Sequence, residues 1–303
     1  MEMHQLRYAV AVARAGNFSR AAEQCHVSQP SLSQQILKLE EELGERLFER
    51  TKREARPTPH GEAFLRRAIR ILEEVDSARR DADDAKQLLT GSVTIGVIPT
   101  IAPYLLPGVM AAFSKKYPGV EIVVREETSG RLLKLLQSYE IDLGLMSPPF
   151  TASQEEWLET RLLLTEELLL ALPADHPLAT KRSVSASDLD QQELIIMKEG
   201  HCLGEQVLMF CNRPDVRPRI SFRSAQLETI QSLVCAGMGI SLIPAMAAGR
   251  WIKGAPVYRR ISPQRPHRTV VAAWPGQRPP GRAAAEFLRI MTLSTGKKPS
   301  RKP

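Results

Sequence analysis

The chain has 303 residues, which is long enough for two domains. Its 43% hydrophobic and 25% charged residues are typical of a globular protein and exclude the disordered, collagen-like and disulfide-scaffold classes. The net charge is +7, but residues 250–303 alone carry 13 basic residues against one acidic residue, so the net charge does not locate a nucleic-acid site.

The sequence predicts a cytoplasmic protein without a metal or a cofactor. No secretory-signal pattern opens the chain, and no apolar run approaches the roughly 18 residues of a membrane-spanning helix, so we expect no membrane contact. The four cysteines form neither a CxxC pair nor a zinc-ligand spacing, and they are Cys25, Cys202, Cys211 and Cys235. In a reducing compartment they are expected to be thiols.

Residues 1–58 predict three helices followed by two short extended segments, which is the arrangement of a winged helix-turn-helix. The third helix is expected to begin after Ser28, a good capping residue, with Pro30 in its first turn. Apolar residues at helical spacing predict its buried stripe, which consists of Leu32, Ile36, Leu39 and Leu43.

The opposite face of this helix carries side chains that suit the major groove of DNA, where glutamine and serine can bond base edges. The candidate DNA-reading residues are Ser28, Gln29, Pro30, Ser31, Ser33, Gln34 and Lys38. The extended segments surround a basic tip that would contact phosphates, formed by Arg50, Lys52, Arg53 and Arg56. The alternative is a plain three-helix bundle whose polar face meets only solvent.

A long helix is predicted from Pro59 to residue 90, with Thr58 as its cap. Apolar residues alternate in steps of four and three, at Phe64, Ala68, Ile71, Val75, Ala78, Ala82, Ala85 and Leu89. This heptad seam favours a two-stranded coiled coil, which would place two reading helices on two DNA half-sites. The alternative is a single helix that packs on the core of its own domain.

The segments NFSRAAEQCHVSQPSLSQQILKLEEELGERLFER and TPHGEAFL closely resemble the winged helix-turn-helix of the LysR-type transcriptional regulators. The resemblance covers the whole chain, because the remaining residues also follow the layout of that family. It implies a homodimer or a dimer of dimers that binds promoter DNA and controls the recruitment of RNA polymerase. We therefore expect a regulator and not an enzyme.

From residue 91 onward, strands and helices alternate, which predicts a parallel sheet with helices on both faces. The layout resembles the α/β periplasmic-binding-protein-like sensor of the family, with two subdomains joined by two crossover segments. The expected domains are an all-α winged helix-turn-helix (1–58), a linker and dimerisation helix (59–90), a sensor with subdomain I (91–164 and 267–294) and subdomain II (165–266), and a basic disordered tail (295–303).

The stretch KEGHCLGEQVLMFCNRP places Cys202 nine residues before Cys211. Nine residues span roughly 13 Å in a helix and about 30 Å in a strand, whereas a disulfide needs Cα atoms within about 7 Å. A bond between this pair would therefore require the segment to refold, as in a conformational switch. We expect His201, a helix N-terminus and Arg268 to lower the pKa of the Cys202 thiol. The alternative is two incidental buried cysteines.

The motif GHCLxxQxxxFC resembles the hydrogen-peroxide-sensing OxyR branch of the LysR family. The resemblance implies that Cys202 is peroxidatic and Cys211 is resolving. It also implies a peroxide pocket, for which the candidates are Thr100, Ser129, His201 and Arg268. Hydrogen peroxide would be the signal, a thiol reductant would reset the switch, and antioxidant genes would be the targets.

Two departures from the branch stand out, namely Gly204 in place of an arginine and Ser129 in place of a threonine. Two other functions stay open. One is a LysR-type regulator that binds a small carboxylate-like effector in the sensor cleft without any redox step. The other is an enzyme that uses a Cys/His nucleophile, which would leave the winged reader and the coiled coil unexplained.

Overall fold

The computed structural model describes residues 1–50, 54–83, 90–213, 216–249 and 256–295. The chain divides into two compact units, Met1–Leu88 and Leu89–Pro303, and each is described by itself. Several predicted features lie outside the described residues: Lys52, Arg53, Ala85, Leu89, the basic tail after residue 295, and the side chains of Arg50, Ala78 and Ala82.

The first unit contains three helices, a short β-hairpin and a long fourth helix, as the sequence predicts. The elements are α1 (Met3–Ala15), α2 (Phe18–Gln24), α3 (Gln29–Leu43), β1 (Phe48–Arg50), β2 (Ala55–Pro57) and α4 (Pro59–Asp83). Strands β1 and β2 pair antiparallel and form the wing. The Ser28 side chain caps α3 by accepting a hydrogen bond from the Ser31 amide at 3.3 Å.

The core of the first unit contains most of the predicted stripe of α3. Leu32, Ile36 and Leu39 are fully buried, but Leu43 is 38% exposed, so the prediction for Leu43 is wrong. Glu40 is buried instead because its carboxylate has backbone partners in the wing. Its Oε1 accepts hydrogen bonds from the amide of Leu47 at 2.8 Å and from the next amide at 3.2 Å.

The second unit is an α/β structure. Its elements are β3 (Gly91–Val97), α5 (Ala102–Lys116), β4 (Val120–Glu126), α6 (Ser129–Gln137), β5 (Leu143–Met146), α7 (Ala152–Glu155), β6 (Leu158–Leu172), β7 (Glu193–Met197), α8 (Cys202–Cys211), β8 (Arg219–Ser224), α9 (Leu227–Cys235), β9 (Ser241–Pro244), β10 (Val257–Arg259), β11 (His267–Pro275) and α10 (Arg282–Thr295).

The sheet of this unit is mixed. Strand β3 pairs parallel with β4 and β5, and β7 pairs parallel with β8, as the alternating pattern predicts. Strand β11, however, runs antiparallel to β5 and β6, and β6 pairs antiparallel with β9 and β10. The expectation of a purely parallel sheet is therefore wrong for these strands, because β6 and β11 pass in opposite directions side by side.

Two hydrophobic cores lie along this pair of strands. The first core is built on β3, β5, α5, α6 and α10, and the second on β7, β9 and α9. Helix α8 contributes to both, because Cys202 belongs to the first core and Leu203, Val207 and Cys211 belong to the second. Among the described residues, no helix is long and apolar enough to cross a membrane.

Candidate functional site

The two cysteines of the GHCLxxQxxxFC motif are the first and last residues of helix α8. Both are free thiols, with only 6% of Cys202 and 4% of Cys211 exposed. Nine helical positions rotate the chain by about 180° and advance it by about 13 Å, so the two thiols face opposite sides of the helix. A disulfide between them is incompatible with an intact α8.

The Cys202 thiol lines a small, nearly closed pocket that has no room for a water-sized molecule in this conformation. The pocket is lined by Ile98, Thr100, Ser129, His201, Cys202 and Leu203. Thr100 follows strand β3, Ser129 is the first residue of α6, and His201 is the cap of α8. The fold thus brings three of the predicted pocket residues beside the cysteine, at the carboxyl end of a parallel strand.

Arg268 reaches this pocket from strand β11 and is completely buried. Its guanidinium donates to Thr100 twice, from Nη1 to Oγ1 at 2.8 Å and from Nη2 to the carbonyl oxygen at 3.0 Å. Its Nε donates to Oε1 of Glu166 at 2.7 Å. Arg268 therefore contacts the wall of the pocket and affects Cys202 through its charge.

Glu166 is a functional candidate that the sequence did not reveal. It lies directly opposite Arg268 in the pairing of β6 with β11, and its second oxygen accepts a hydrogen bond from the Met246 amide at 2.8 Å. Its side chain is only 9% exposed, so it is the buried counter-ion of the arginine. Only the register of the two strands identifies this pair.

Burial determines the protonation of Cys202. It raises the pKa of the thiol, and the smaller opposing effects of Ser129 and Arg268 do not offset it. The buried Ser129 hydroxyl has no well-formed hydrogen bond within the described part of the chain, so its contact with the sulfur is weak. The expected low pKa is therefore wrong for this conformation, in which Cys202 is a neutral thiol at neutral pH.

His201 does not supply the positive charge that we expected beside Cys202. Burial, with a smaller contribution from Lys198, lowers the pKa of the imidazole. The ring is therefore neutral at neutral pH and offers one nitrogen as a proton acceptor. Burial also raises the pKa of the Cys211 thiol, to about 11, against a smaller opposing effect of Arg213.

Gln206 fastens α8 to the first core and was also missed by the sequence reasoning. It lies one helical turn after Cys202, and its Nε2 donates to Ser147 Oγ at 2.8 Å and to the Pro148 carbonyl oxygen at 2.6 Å. The Ser147 hydroxyl in turn donates to the backbone carbonyl of Thr269 in β11. The glutamine of the GHCLxxQ motif was the available signal for this contact.

Gly204 fits tightly against the end of strand β7. A Cβ atom added at this position would lie 2.7 Å from the carbonyl oxygen of Met197, which is closer than real Cβ contacts. The arginine that the OxyR branch has at this position would require a shift of the backbone. The first turn of α8 therefore lies close to β7 because residue 204 has no side chain.

The candidate DNA-reading face of α3 is largely exposed, and only Ser33 is partly buried. The exposed members are Ser28, Gln29, Pro30, Ser31, Gln34 and Lys38. In the described part of the wing, Arg56 is exposed and donates to the Glu54 carboxylate at 2.8 Å. Glu54 is the acidic residue beside the predicted basic tip, and both members of this ion pair are exposed.

Comparison with known proteins identifies the family. Residues 3–62 match "Bacterial regulatory helix-turn-helix protein, lysR family", and residues 86–293 match "LysR substrate binding domain". The chain is 38% identical over 247 residues to the "DNA-binding transcriptional dual regulator OxyR" of Escherichia coli (strain K12), covering 82% of this chain and 80% of that protein. It is 36% identical over 275 residues to a "Hydrogen peroxide-inducible genes activator" of Dickeya chrysanthemi, covering 90% and 89%.

Comparison with solved structures identifies the same family. A full-length OxyR from Pseudomonas aeruginosa with a cysteine-to-aspartate substitution is 32% identical, with a TM-score of 0.79 and coverage of 100% of this chain and 99% of that chain. CbnR in complex with its target DNA is 26% identical, with a TM-score of 0.67 and coverage of 97% and 100%. The resemblance to the OxyR branch is confirmed, and the chain belongs to the LysR family of bacterial regulatory proteins.

Proposed function

We propose that the protein is a sequence-specific, DNA-binding transcription regulator that senses hydrogen peroxide through a reversible disulfide between Cys202 and Cys211. One observation carries the proposal: the two cysteines are at opposite ends and on opposite faces of α8, each buried in a different core. Bond formation would then force a change in the structure of the sensor. Relatives named as peroxide-inducible activators, and a Corynebacterium glutamicum OxyR cysteine-to-serine mutant described as H2O2-bound, support the assignment of peroxide as the signal.

The chemistry requires two steps. The Cys202 thiol gives up its proton, with the neutral His201 ring as a nearby acceptor, and the sulfur attacks one oxygen of peroxide. The S–O bond forms, the O–O bond breaks, and the leaving hydroxide takes a proton to become water. The Cys211 sulfur then attacks the sulfenic acid, so that the S–S bond forms and the second oxygen leaves as water. Two thiols are oxidised and one peroxide is reduced.

The second step couples the oxidation of the two cysteines to a change in the structure of α8. Because the two Cα atoms must approach from about 13 Å to within about 7 Å, α8 must unwind before the bond closes. In this proposal, residues 1–58 bind DNA, residues 59–90 pair two copies, and residues 91–294 form the sensor. The DNA-binding residues are Ser28, Gln29, Pro30, Ser31, Ser33, Gln34 and Lys38 of α3 and its cap, with Arg50, Lys52, Arg53 and Arg56 of the wing. Subdomain I is 91–164 with 267–294, subdomain II is 165–266, and residues 295–303 form a basic tail.

The proposal also names partners and a compartment. Promoter DNA is bound by a homodimer or a dimer of dimers, RNA polymerase is the target of regulation at antioxidant genes, and a cytoplasmic thiol reductant resets the disulfide. The protein acts as a stoichiometric sensor and has no catalytic turnover of its own. The pocket through which peroxide reaches Cys202 is formed, by resemblance to the OxyR branch, by Thr100, Ser129, His201 and Arg268.

The test is mass spectrometry of the full-length reduced protein after substoichiometric peroxide, together with footprinting on promoter DNA. We expect a linked Cys202–Cys211 peptide pair and a changed footprint. The variant C202S should bind DNA and keep one footprint, whereas C235S, which removes an exposed cysteine of α9, should behave like the unaltered protein. Two alkylatable thiols after peroxide, or a C202S protein that still switches, would reject the proposal and favour a cleft ligand such as a small carboxylate.

A further inference from the structure

The contact between Arg268 and Thr100 fixes the direction of a hydroxyl group. A guanidinium has five N–H donors and no acceptor, so Thr100 Oγ1 accepts the hydrogen bond from Nη1 at 2.8 Å. The hydroxyl proton of Thr100 therefore cannot point at Arg268. No described residue accepts a hydrogen bond from it, and the pocket with Ser129, His201 and Cys202 lies beside it. Thr100 is thus a donor that is free to act inside the pocket.

Glu166 keeps the arginine in the orientation that this contact requires. Its carboxylate uses both oxygens, one for Nε of Arg268 at 2.7 Å and the other for the Met246 amide at 2.8 Å. The arginine side chain is fully buried and the glutamate is 9% exposed, so solvent competes little with the contact between them. The guanidinium fork is rigid, and a carboxylate that holds Nε also fixes the two Nη groups that face Thr100.

We propose that Glu166 is a positioning residue of the peroxide pocket, which acts through Arg268 to keep the Thr100 hydroxyl a hydrogen-bond donor toward the leaving oxygen of peroxide. This inference rests on the function proposed above. When the Cys202 sulfur attacks, the S–O bond forms and negative charge develops on the departing oxygen as the O–O bond breaks. A fixed O–H donor at that oxygen stabilises the charge without itself losing its proton.

The test compares two reactions of the same sulfur. In full-length reduced protein, the rate constants for oxidation of Cys202 by hydrogen peroxide and for its alkylation by iodoacetamide are measured by mass spectrometry. Both reactions need the thiolate, so their ratio removes the effect of the thiol pKa, and only the peroxide reaction has an oxygen leaving group. A donor that serves the leaving oxygen should change this ratio, whereas a residue needed only for folding should change both rates together.

The variant E166Q offers one amide oxygen in place of two carboxylate oxygens, so it cannot accept from both Arg268 and Met246. We expect the ratio to fall at least about fivefold, the value of one lost hydrogen bond near 1 kcal/mol. Variant T100V should show a similar fall, T100S should restore the ratio, and E166Q should add nothing in the T100V background. E166D keeps the negative charge but moves the carboxylate away from Arg268 by one methylene, so it should also lower the ratio. If E166Q does not fold, E166D takes its place in the test.

The matched control is E167Q, which removes the same charge from the next residue of β6, where the side chain pairs with Arg260 instead. Its ratio should equal that of the unaltered protein. An unchanged ratio in E166Q and E166D, or effects of E166Q and T100V that multiply, overturns the inference while peroxide sensing stands. A Cys202 that fails to react with peroxide in the unaltered protein overturns the proposed function and the inference with it.

Discussion

The Cys211 thiol couples the stability of the reduced protein to alkaline pH. Burial raises its pKa from 9.0 to about 11, so the unfolded chain ionises this thiol at a lower pH than the folded chain does. The stabilising contribution is complete below pH 9 and is lost as the pH rises through 11, and it amounts to about 2 to 3 kcal/mol. The variant C211S should lack this loss.

The measurement is urea unfolding of the reduced protein at pH 8 and pH 10.5. Between these two values, the unaltered protein and the control C235S should lose about 2 kcal/mol more than C211S. Equal losses in all three proteins would contradict the burial of this thiol in the second core. Burial also raises the pKa of the more exposed Cys235 thiol, which is absent only from C235S, so the informative quantity is the difference between the unaltered protein and C211S, which share every ionisable group except Cys211.

At the scale of single residues, the sequence predicted which groups meet but not how they are protonated. The resemblance placed Thr100, Ser129 and His201 near Cys202, and the fold brings all three to one pocket. The neighbours of a cysteine can be guessed from a motif, whereas the depth of its burial depends on residues far away in the sequence. For this reason the raised pKa of Cys202 could not be foreseen.

At the scale of elements, α8 is held in its reduced position by Gln206. Replacing this side chain in Q206L removes the hydrogen bonds to Ser147 and to the Pro148 carbonyl, which hold α8 on the first core. Because these contacts belong to the intact helix, their loss should destabilise the reduced form relative to the disulfide form. We expect the midpoint potential to become more negative by about 20 to 40 mV, which corresponds to roughly 1 to 2 kcal/mol.

This shift can be measured by equilibrating the protein in thiol–disulfide buffers and counting linked Cys202 by mass spectrometry. Variant M209L is the control, because Met209 is in the same helix and is 65% exposed. A potential that does not differ between Q206L and M209L would mean that the contacts of Gln206 survive oxidation.

The sequence anticipated the elements better than their pairing. The range of α1, the cap of α3 and the strands of the sensor follow from local patterns. The antiparallel course of β6 and β11 does not, because it is set by how 15-residue β6 crosses between two cores. Glu166 was missed for the same reason, since a charged residue inside a strand becomes significant only through its cross-strand partner.

At the scale of the whole molecule, α4 is the element expected to join two copies. Ala68 of the predicted seam packs with Leu65 on the core of the first unit, whereas the next seam residue, Ile71, is 39% exposed. An aspartate there would place a charge in a coiled-coil interface, so I71D should dissociate the oligomer and lower the affinity for a two-half-site operator. Analytical ultracentrifugation checks this, with R67D on the exposed surface of the same helix as the control.

If I71D and R67D sediment alike at the size of the unaltered protein, the seam does not hold the copies together. The domain limits proposed from the sequence depend on this helix, because the linker of residues 59–90 is defined by its seam. Part of that seam lies beyond the described side chains, so the exposed Ile71 is the position at which the prediction can be checked directly.

The narrow pocket around Cys202 has a consequence for which molecules can use the switch. In this conformation the space between Ile98 and Leu203 is too narrow for a molecule the size of water, so an oxidant reaches Cys202 only when the walls of the pocket move apart, and a small oxidant needs the smallest opening. The disulfide forms only after α8 has opened, so a reductant does not have to pass through that pocket. Activation therefore favours small oxidants, while reset is accessible to a reductant as large as a protein.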